Sequence, residues 1–226
     1  MRIYIATSDK TNWILELSVP MIQRVWKGDG IVLGFSECET YGYKFKSLGK
    51  NQDIEKWSWY LFNYLRRIKD EYIFFMLDDF FIKGLNYHIF DWVMQNEKFS
   101  RYELGVPSRF SYMQTIRRKS GFDLWEYAQN STYRISCQPS IWKREYLLYF
   151  LKLPHNPWKF EIMQNKLSVN DSARIIATNP RCLDYITSSA LSRNWQNQIN
   201  INGMEGNDLM RIKRLAHKRG MGTINI

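Results

Sequence analysis

Histidine and cysteine are scarce in this sequence, with three of each among 226 residues. His88, His155 and His217 are too scattered to propose a histidine-based metal centre. Cys38, Cys137 and Cys182 are odd in number and lack C-x-x-C spacing, which argues against both a disulfide framework and a zinc site. Long apolar runs are missing as well. No stretch reaches the roughly 18 uncharged residues that a spanning helix needs. The opening MRIYIATSDK lacks the basic-then-apolar order of a secretory signal. A cytoplasmic protein without a transmembrane segment is therefore expected. Internal repeats and low-complexity linkers are also absent, so the chain reads as one domain.

What the sequence does contain is large side chains, 45% hydrophobic and 16% aromatic, which excludes a disordered chain. Its charge is unevenly spread. Residues 1–113 hold 15 Lys and Arg against 14 Asp and Glu, whereas residues 114–226 hold 17 against 8, so +9 of the net +10 lies in the second half. Such an excess attracts polyanions, whether nucleic acid, acidic glycan or an anionic membrane surface, without choosing among them.

The first half has the pattern of an α/β fold. Residues 2–7 and 31–35 are short apolar runs of β type, each ended by polar residues. Residues 13–26 between them suit a helix interrupted by Pro20. Over residues 55–69, Trp57, Tyr60, Leu61, Tyr64, Leu65 and Ile68 recur at helical spacing, and Arg66, Arg67 and Lys69 close the segment in agreement with the helix dipole. Residues 72–77 are continuously apolar, as expected for a central strand covered on both faces. In the second half, helices are expected over 87–99, 143–152 and, from an Asn156 cap with Pro157 in the first turn, to 167. Strands are expected over 133–141 and 173–178. Asn207-Asp208 caps an expected basic helix over 209–219, closed by Gly220. Asp123 and Glu126 would share a helix face.

The chemistry concentrates where residues 72–77 end, at Asp78-Asp79. In open α/β sheets, ligands bind at the carboxyl ends of strands. Two adjacent acids after a buried strand repel each other, and each would cost several kcal/mol to desolvate unpaired. A divalent cation removes that cost. Mg²⁺ or Mn²⁺ is commonly held by one or two carboxylates together with phosphate oxygens and water. In the plain alternative, one acid caps the next turn and the other is solvated.

Taken together, the helix WSWYLFNYLRRIKD, the block EYIFFMLDDFFI, and the later QPSIWKREYL and NPWKFE resemble small nucleotide-sugar glycosyltransferases of the GT-A type. The sequence is similar to bacterial and phage members with an L-D-D-F-F block and a downstream N-P-W-x-F-E. The resemblance covers about residues 1–190 and implies a Rossmann-like domain with a mixed central sheet flanked by helices. It implies a nucleotide-sugar and metal half over about 1–113 and a basic acceptor half over about 114–226. It also implies that Asp79, with Asp78 beside it, binds Mn²⁺ or Mg²⁺ and through it the donor diphosphate. Many relatives have Asp-x-Asp here, so the two acids stay alternatives as the ligand. Thr7, Ser8 and Asp9 would lie near the nucleoside. Glu161 matches the catalytic base of inverting members, a role that suits an acceptor hydroxyl whose proton must be removed in the transition state. The donor would be a UDP-sugar, with glucose the expected sugar.

For the acceptor, Arg109, Arg117, Arg118 and Lys119 form one basic group, and Arg211 and Arg214, with Lys213, His217, Lys218 and Arg219, form another. Such side chains give salt-sensitive nucleic-acid affinity, and Tyr112, Trp125 and Tyr127 nearby would add base stacking. Trp142 and Trp158 are candidate platforms for a sugar or base. The expected acceptor is a hydroxymethylated pyrimidine of phage DNA, flipped out of the duplex, with a lipopolysaccharide or capsule glycan as the alternative. Two other classes compete: a Mg²⁺-dependent nuclease built on the same acids, and a basic DNA-binding protein without catalysis.

Overall fold

The structure, a computed structural model, describes residues 1–50, 52–105, 107–187, 210 and 214. It opens with β1 (Ile3–Ala6), α1 (Leu15–Val25), β2 (Gly30–Gly34), β3 (Lys44–Ser47), α2 (Trp57–Leu65) and β4 (Tyr72–Leu77). β3, β2, β1 and β4 lie side by side and all parallel. Next come β5 (Phe80–Leu85), α3 (Tyr87–Asn96), β6 (Arg101–Glu103), β7 (Met113–Lys119), β8 (Phe122–Tyr127) and β9 (Ser140–Lys143). They are followed by α4 (Arg144–Leu151), α5 (Pro157–Leu167), β10 (Ile175–Asn179) and β11 (Leu183–Thr187). The main sheet runs β3-β2-β1-β4-β9-β6-β10-β8-β7 and turns antiparallel where β9 joins β4. β11 pairs antiparallel with β5 in a small second sheet.

The unbroken apolar runs follow from burial on both faces of the sheet. Ile3, Ile5, Phe74 and Met76 point into one core with Leu15, Val19 and Ile22 of α1 and Ile89, Phe90 and Val93 of α3. Their neighbours Tyr4, Ala6, Ile73 and Phe75 point the other way, against Trp57, Leu61 and Leu65 of α2 and Leu147, Leu151 and Phe160 of α4 and α5. Alternate residues of a strand face opposite sides, so a sheet covered on both sides has no polar face. This is the α/β architecture expected from the sequence, a mixed central sheet flanked by helices.

Several local expectations need correction. Pro20 does not interrupt α1, which runs through it. Proline inside a helix costs about 3 kcal/mol, but Leu17, Val19, Met21 and Ile22 around it are buried, each contributing about 1.5–3 kcal/mol. The helix expected over 55–69 begins as a 3₁₀ turn, Ile54–Lys56, capped by Asp53, and ends at Leu65, so Arg66, Arg67 and Lys69 lie beyond it. The strand expected over 133–141 is confined to β9, and residues 133–139 form a loop. Asp123 and Glu126 lie on β8, not on a helix. The capped basic helix expected over 209–219 falls largely outside the described residues, as does its Arg211. Among the described residues, no helix is long and apolar enough to cross a membrane.

Candidate active site

The parallel ladder places the first two site segments together. The Thr7 amide donates to the Leu33 carbonyl at 2.9 Å and the Asp78 amide to the Ala6 carbonyl at 3.0 Å, so β1 and β4 end level with each other. Thr7 Oγ1 donates to Asp78 Oδ2 at 2.5 Å, and Asp78 is buried. Desolvation pushes its carboxyl above the usual range, while the hydroxyls of Thr11 and Thr7 act in the opposite sense. Thr11 is brought there by a tight turn: Ser8 Oγ and Thr11 Oγ1 lie 2.8 Å apart, and the amides of Thr11 and Asn12 both donate to the Ser8 carbonyl. Asp79, one residue on, is half-buried in the turn between β4 and β5.

A second wall is built from the other half of the chain. Asn156 caps α5, its Oδ1 accepting from the Lys159 amide at 2.8 Å, with Pro157 in the first turn. Asn156 Nδ2 also donates to Glu55 Oε1 at 2.8 Å, which ties the start of α5 to the segment ahead of α2. One turn into α5, Glu161 Oε1 accepts from the Cys137 amide at 2.6 Å. Burial raises the Glu161 carboxyl above its ordinary range; the Cys137 amide and Arg101 oppose the shift, and the charges of Glu103 and Asp79 add to it. Thr7, Ser8, Thr11, Asp78, Asp79, Gln138, Trp158 and Glu161 all line one cleft of about 330 Å³, together with the apolar Phe35, Ile54 and Trp57.

Two fully buried arginines hold the loop that carries Cys137 and Gln138. Arg101 donates to the carbonyls of Tyr133 and Arg134 and to Ser136 and Ser140, and pairs with Glu103 at 3.2 Å. Arg134 donates to the carbonyls of Tyr127, Ala128, Ser168 and Ala173 and pairs with Asp171 at 2.8 Å. Buried guanidinium groups need such complete partner sets.

The other expected site residues fall in different places. Asp9 does not line the cleft; its carboxylate accepts from the Ser36 amide and hydroxyl at 2.9 and 2.8 Å and fastens the end of β1 to that of β2. Trp142 is no platform: it is fully buried on β9, stacked on Tyr146 and capped by the Arg101 guanidinium. Trp158 is 66% exposed at the cleft wall. Arg117, Arg118 and Lys119 lie on β7, five strand spacings from β4, or about 24 Å across the sheet at about 4.8 Å each. Arg117 is paired with Glu97 at 3.2 Å, and Arg117 and Lys119 both lie over the Trp92 ring. Arg109 is exposed and lies over Phe110, and Arg214 is exposed on a helix. Tyr127, expected to stack on bases, is buried and donates to Glu103 Oε2 at 2.5 Å. Sequence reasoning missed Thr11, Gln138 and the Cys137 amide. The only available signal was the Ser8-x-x-Thr11 spacing of a local turn.

Among the described residues no cluster of three Asp, Glu, His or Cys forms a closed metal site. The donor set is an open one, Asp79 at the cleft with Asp78 behind it. That fits a hard cation shared with a ligand's phosphate oxygens and does not fit an all-protein structural site.

No protein-family model and no curated protein matches the chain. Among solved structures it is similar to residues 1–349 of S. aureus TarS, at 13% identity over 95% of this chain and 69% of that one, with a TM-score of 0.54. It is also similar to the longer S. aureus TarS, at 12% identity over 98% and 44%, with a TM-score of 0.51. TarS 1–349 in complex with UDP-GlcNAc matches at 12% identity over 81% and 57%, with a TM-score of 0.51. The chain thus spans less than half of the longer TarS. At these identities the likeness is one of fold, a mixed α/β sheet flanked by helices.

Proposed function

We propose that this chain is a glycosyltransferase that takes a sugar from a UDP-sugar and passes it, with inversion, to an acceptor hydroxyl. The observation that carries the reading is the meeting of Asp79 and Glu161 in one cleft, from opposite halves of the chain. A fold shared with a protein solved in complex with UDP-GlcNAc supports the donor class.

In this reading the nucleoside diphosphate lies at the ends of β1 and β4. Asp79 would ligate Mn²⁺ or Mg²⁺ there, and such an ion would supply neutralisation of the departing diphosphate's charge. Asp78 is the positioning residue: buried and held by Thr7 and Thr11, it fixes the turn that presents Asp79. Glu161 takes the proton of the acceptor hydroxyl as that oxygen attacks the sugar carbon. Its raised affinity for a proton, set by burial, suits a base better than a fully solvated carboxylate would. Trp158 offers an exposed ring for an acceptor sugar. That ring, with the remoteness of Arg117, Arg118 and Lys119, favours a glycan hydroxyl as acceptor over a DNA base.

The test is acceptor-independent hydrolysis of UDP-glucose and UDP-GlcNAc in Mn²⁺, with and without chelator. Turnover that needs the metal and is lost in Asp79→Ala is expected. If neither sugar nucleotide is bound or hydrolysed with metal present, the reading fails. Hydroxymethylated DNA and a glycan extract, supplied in parallel, decide the acceptor by which one gains mass.

A further inference from the structure

The two helical layers differ in what they show to solvent. In the layer of α1 and α3, none of the large apolar side chains is exposed, whereas α4 and α5 expose several. At 100° per residue, Trp158, Ile162, Lys166, Lys159, Met163 and Leu167 follow one another around half of α5. The four apolar members are 66%, 61%, 44% and 49% exposed. Tyr149 on α4 and Leu153, just past its end, are also exposed, at 50% and 43%. Single exposed apolar residues are ordinary, but an apolar arc of this extent marks an interaction surface.

The chain around it is richer in basic than in acidic residues, although Lys56 pairs with Asp53 at 3.2 Å and Arg144 with Glu145. Residues 54–69 carry four basic side chains against Glu55, and residues 143–169 carry five against Glu145 and Glu161. Glu55 is already taken by Lys159 at 2.6 Å, and Glu161 lines the cleft. Lys152 lies 4.2 Å over the Tyr149 ring, an apolar body with a cationic tip. Nucleic acid would use the lysines but has no need of Ile162, Met163 and Leu167. A second copy would bring the same positive face against this one. A surface that is anionic outside and apolar beneath satisfies both halves of the pattern.

We infer that the outer face of α4 and α5 is a docking surface for an anionic lipid membrane, with the apolar arc in the headgroup boundary and the lysines among the phosphates. This goes beyond the transferase reading and does not depend on it. Trp158 belongs to both the arc and the cleft wall, so a docked molecule opens its cleft beside the bilayer.

The experiment is co-sedimentation of the full chain with vesicles of phosphatidylcholine alone and of equal parts phosphatidylcholine and phosphatidylglycerol, at low and high salt. Binding to the anionic vesicles is expected, at least tenfold weaker for Met163→Glu with Leu167→Glu, and weakened also for Lys152→Glu with Lys166→Glu. Both pairs lie outside the cleft, so UDP-sugar hydrolysis and far-ultraviolet circular dichroism are expected to match wild type. Absence of vesicle binding, or equal binding by wild type and both pairs, overturns the inference. So does light scattering that reveals a dimer dissolved by Met163→Glu with Leu167→Glu, which would make the face a contact between copies. Hydrolysis is scored separately, so failure of one proposal leaves the other standing.

Discussion

Replacing Glu161 by glutamine should separate catalysis from stability. Glutamine keeps the shape and the Oε1 acceptor, so the 2.6 Å bond from the Cys137 amide survives, while the ability to take a proton is lost. A positioned general base contributes about 10²–10⁴-fold to rate, or about 2.7–5.4 kcal/mol at about 1.36 kcal/mol per tenfold. The expected kcat of Glu161→Gln is therefore lower by about two to four orders of magnitude, with donor KM little changed. Stability moves the other way. Burial raises the Glu161 carboxyl, so the fold favours its protonated form, and the cost of holding it ionised is present above its folded pKa and vanishes below the unfolded one. Glutamine removes that cost, so the variant should melt higher than wild type at neutral pH, the gap closing in acid. For the same reason, the acid limb of the wild-type kcat/KM profile should lie above the ordinary glutamate value of about 4.3, and it should be absent in the variant. The assay is release of UDP and transfer to acceptor across pH, with a thermal melt of each protein. A variant as active as wild type, or one that melts lower at neutral pH, would refute the assignment.

Asn156→Ala removes the α5 cap and the bond to Glu55, and should cost about 1 kcal/mol in urea denaturation; an unchanged midpoint would mean that the cap carries no stability. Arg134→Met leaves Asp171 without its guanidinium partner and removes one donor from each of four carbonyls, and should cost about 3–5 kcal/mol in the same measurement. A loss well under that range would show that water replaces the guanidinium.

Local pattern accounts for what could be read from sequence. β1, β4 and the α5 cap announce themselves through unbroken apolar runs and Asn-Pro, because burial and capping act within a few residues. The β7–β8 hairpin was not legible: every residue of β7 after Met113 is exposed, so it lacks the alternation that marks a strand. The loop over residues 133–139 was misread because its shape depends on Arg101 and Arg134, whose partners lie 32 to 39 positions away for several bonds. Of the candidate site, Asp78, Asp79 and Glu161, which stand in compact motifs, line one cleft. Thr11 became visible only through its hydroxyl beside Asp78. Trp142 misled because tryptophan suits a platform and a core equally well, and only burial distinguishes them.

Among the described residues, the two outermost strands of the main sheet are both basic: Lys44 and Lys46 are exposed on β3, and Arg117, Arg118 and Lys119 on β7. An open sheet leaves a row of unpaired amides and carbonyls at each rim, and like charges at both rims keep one molecule's edge from pairing with another's. Part of the positive charge that suggests a polyanionic partner thus serves colloidal solubility. Added salt, which shortens the reach of that repulsion, should promote edge-to-edge aggregation of this chain.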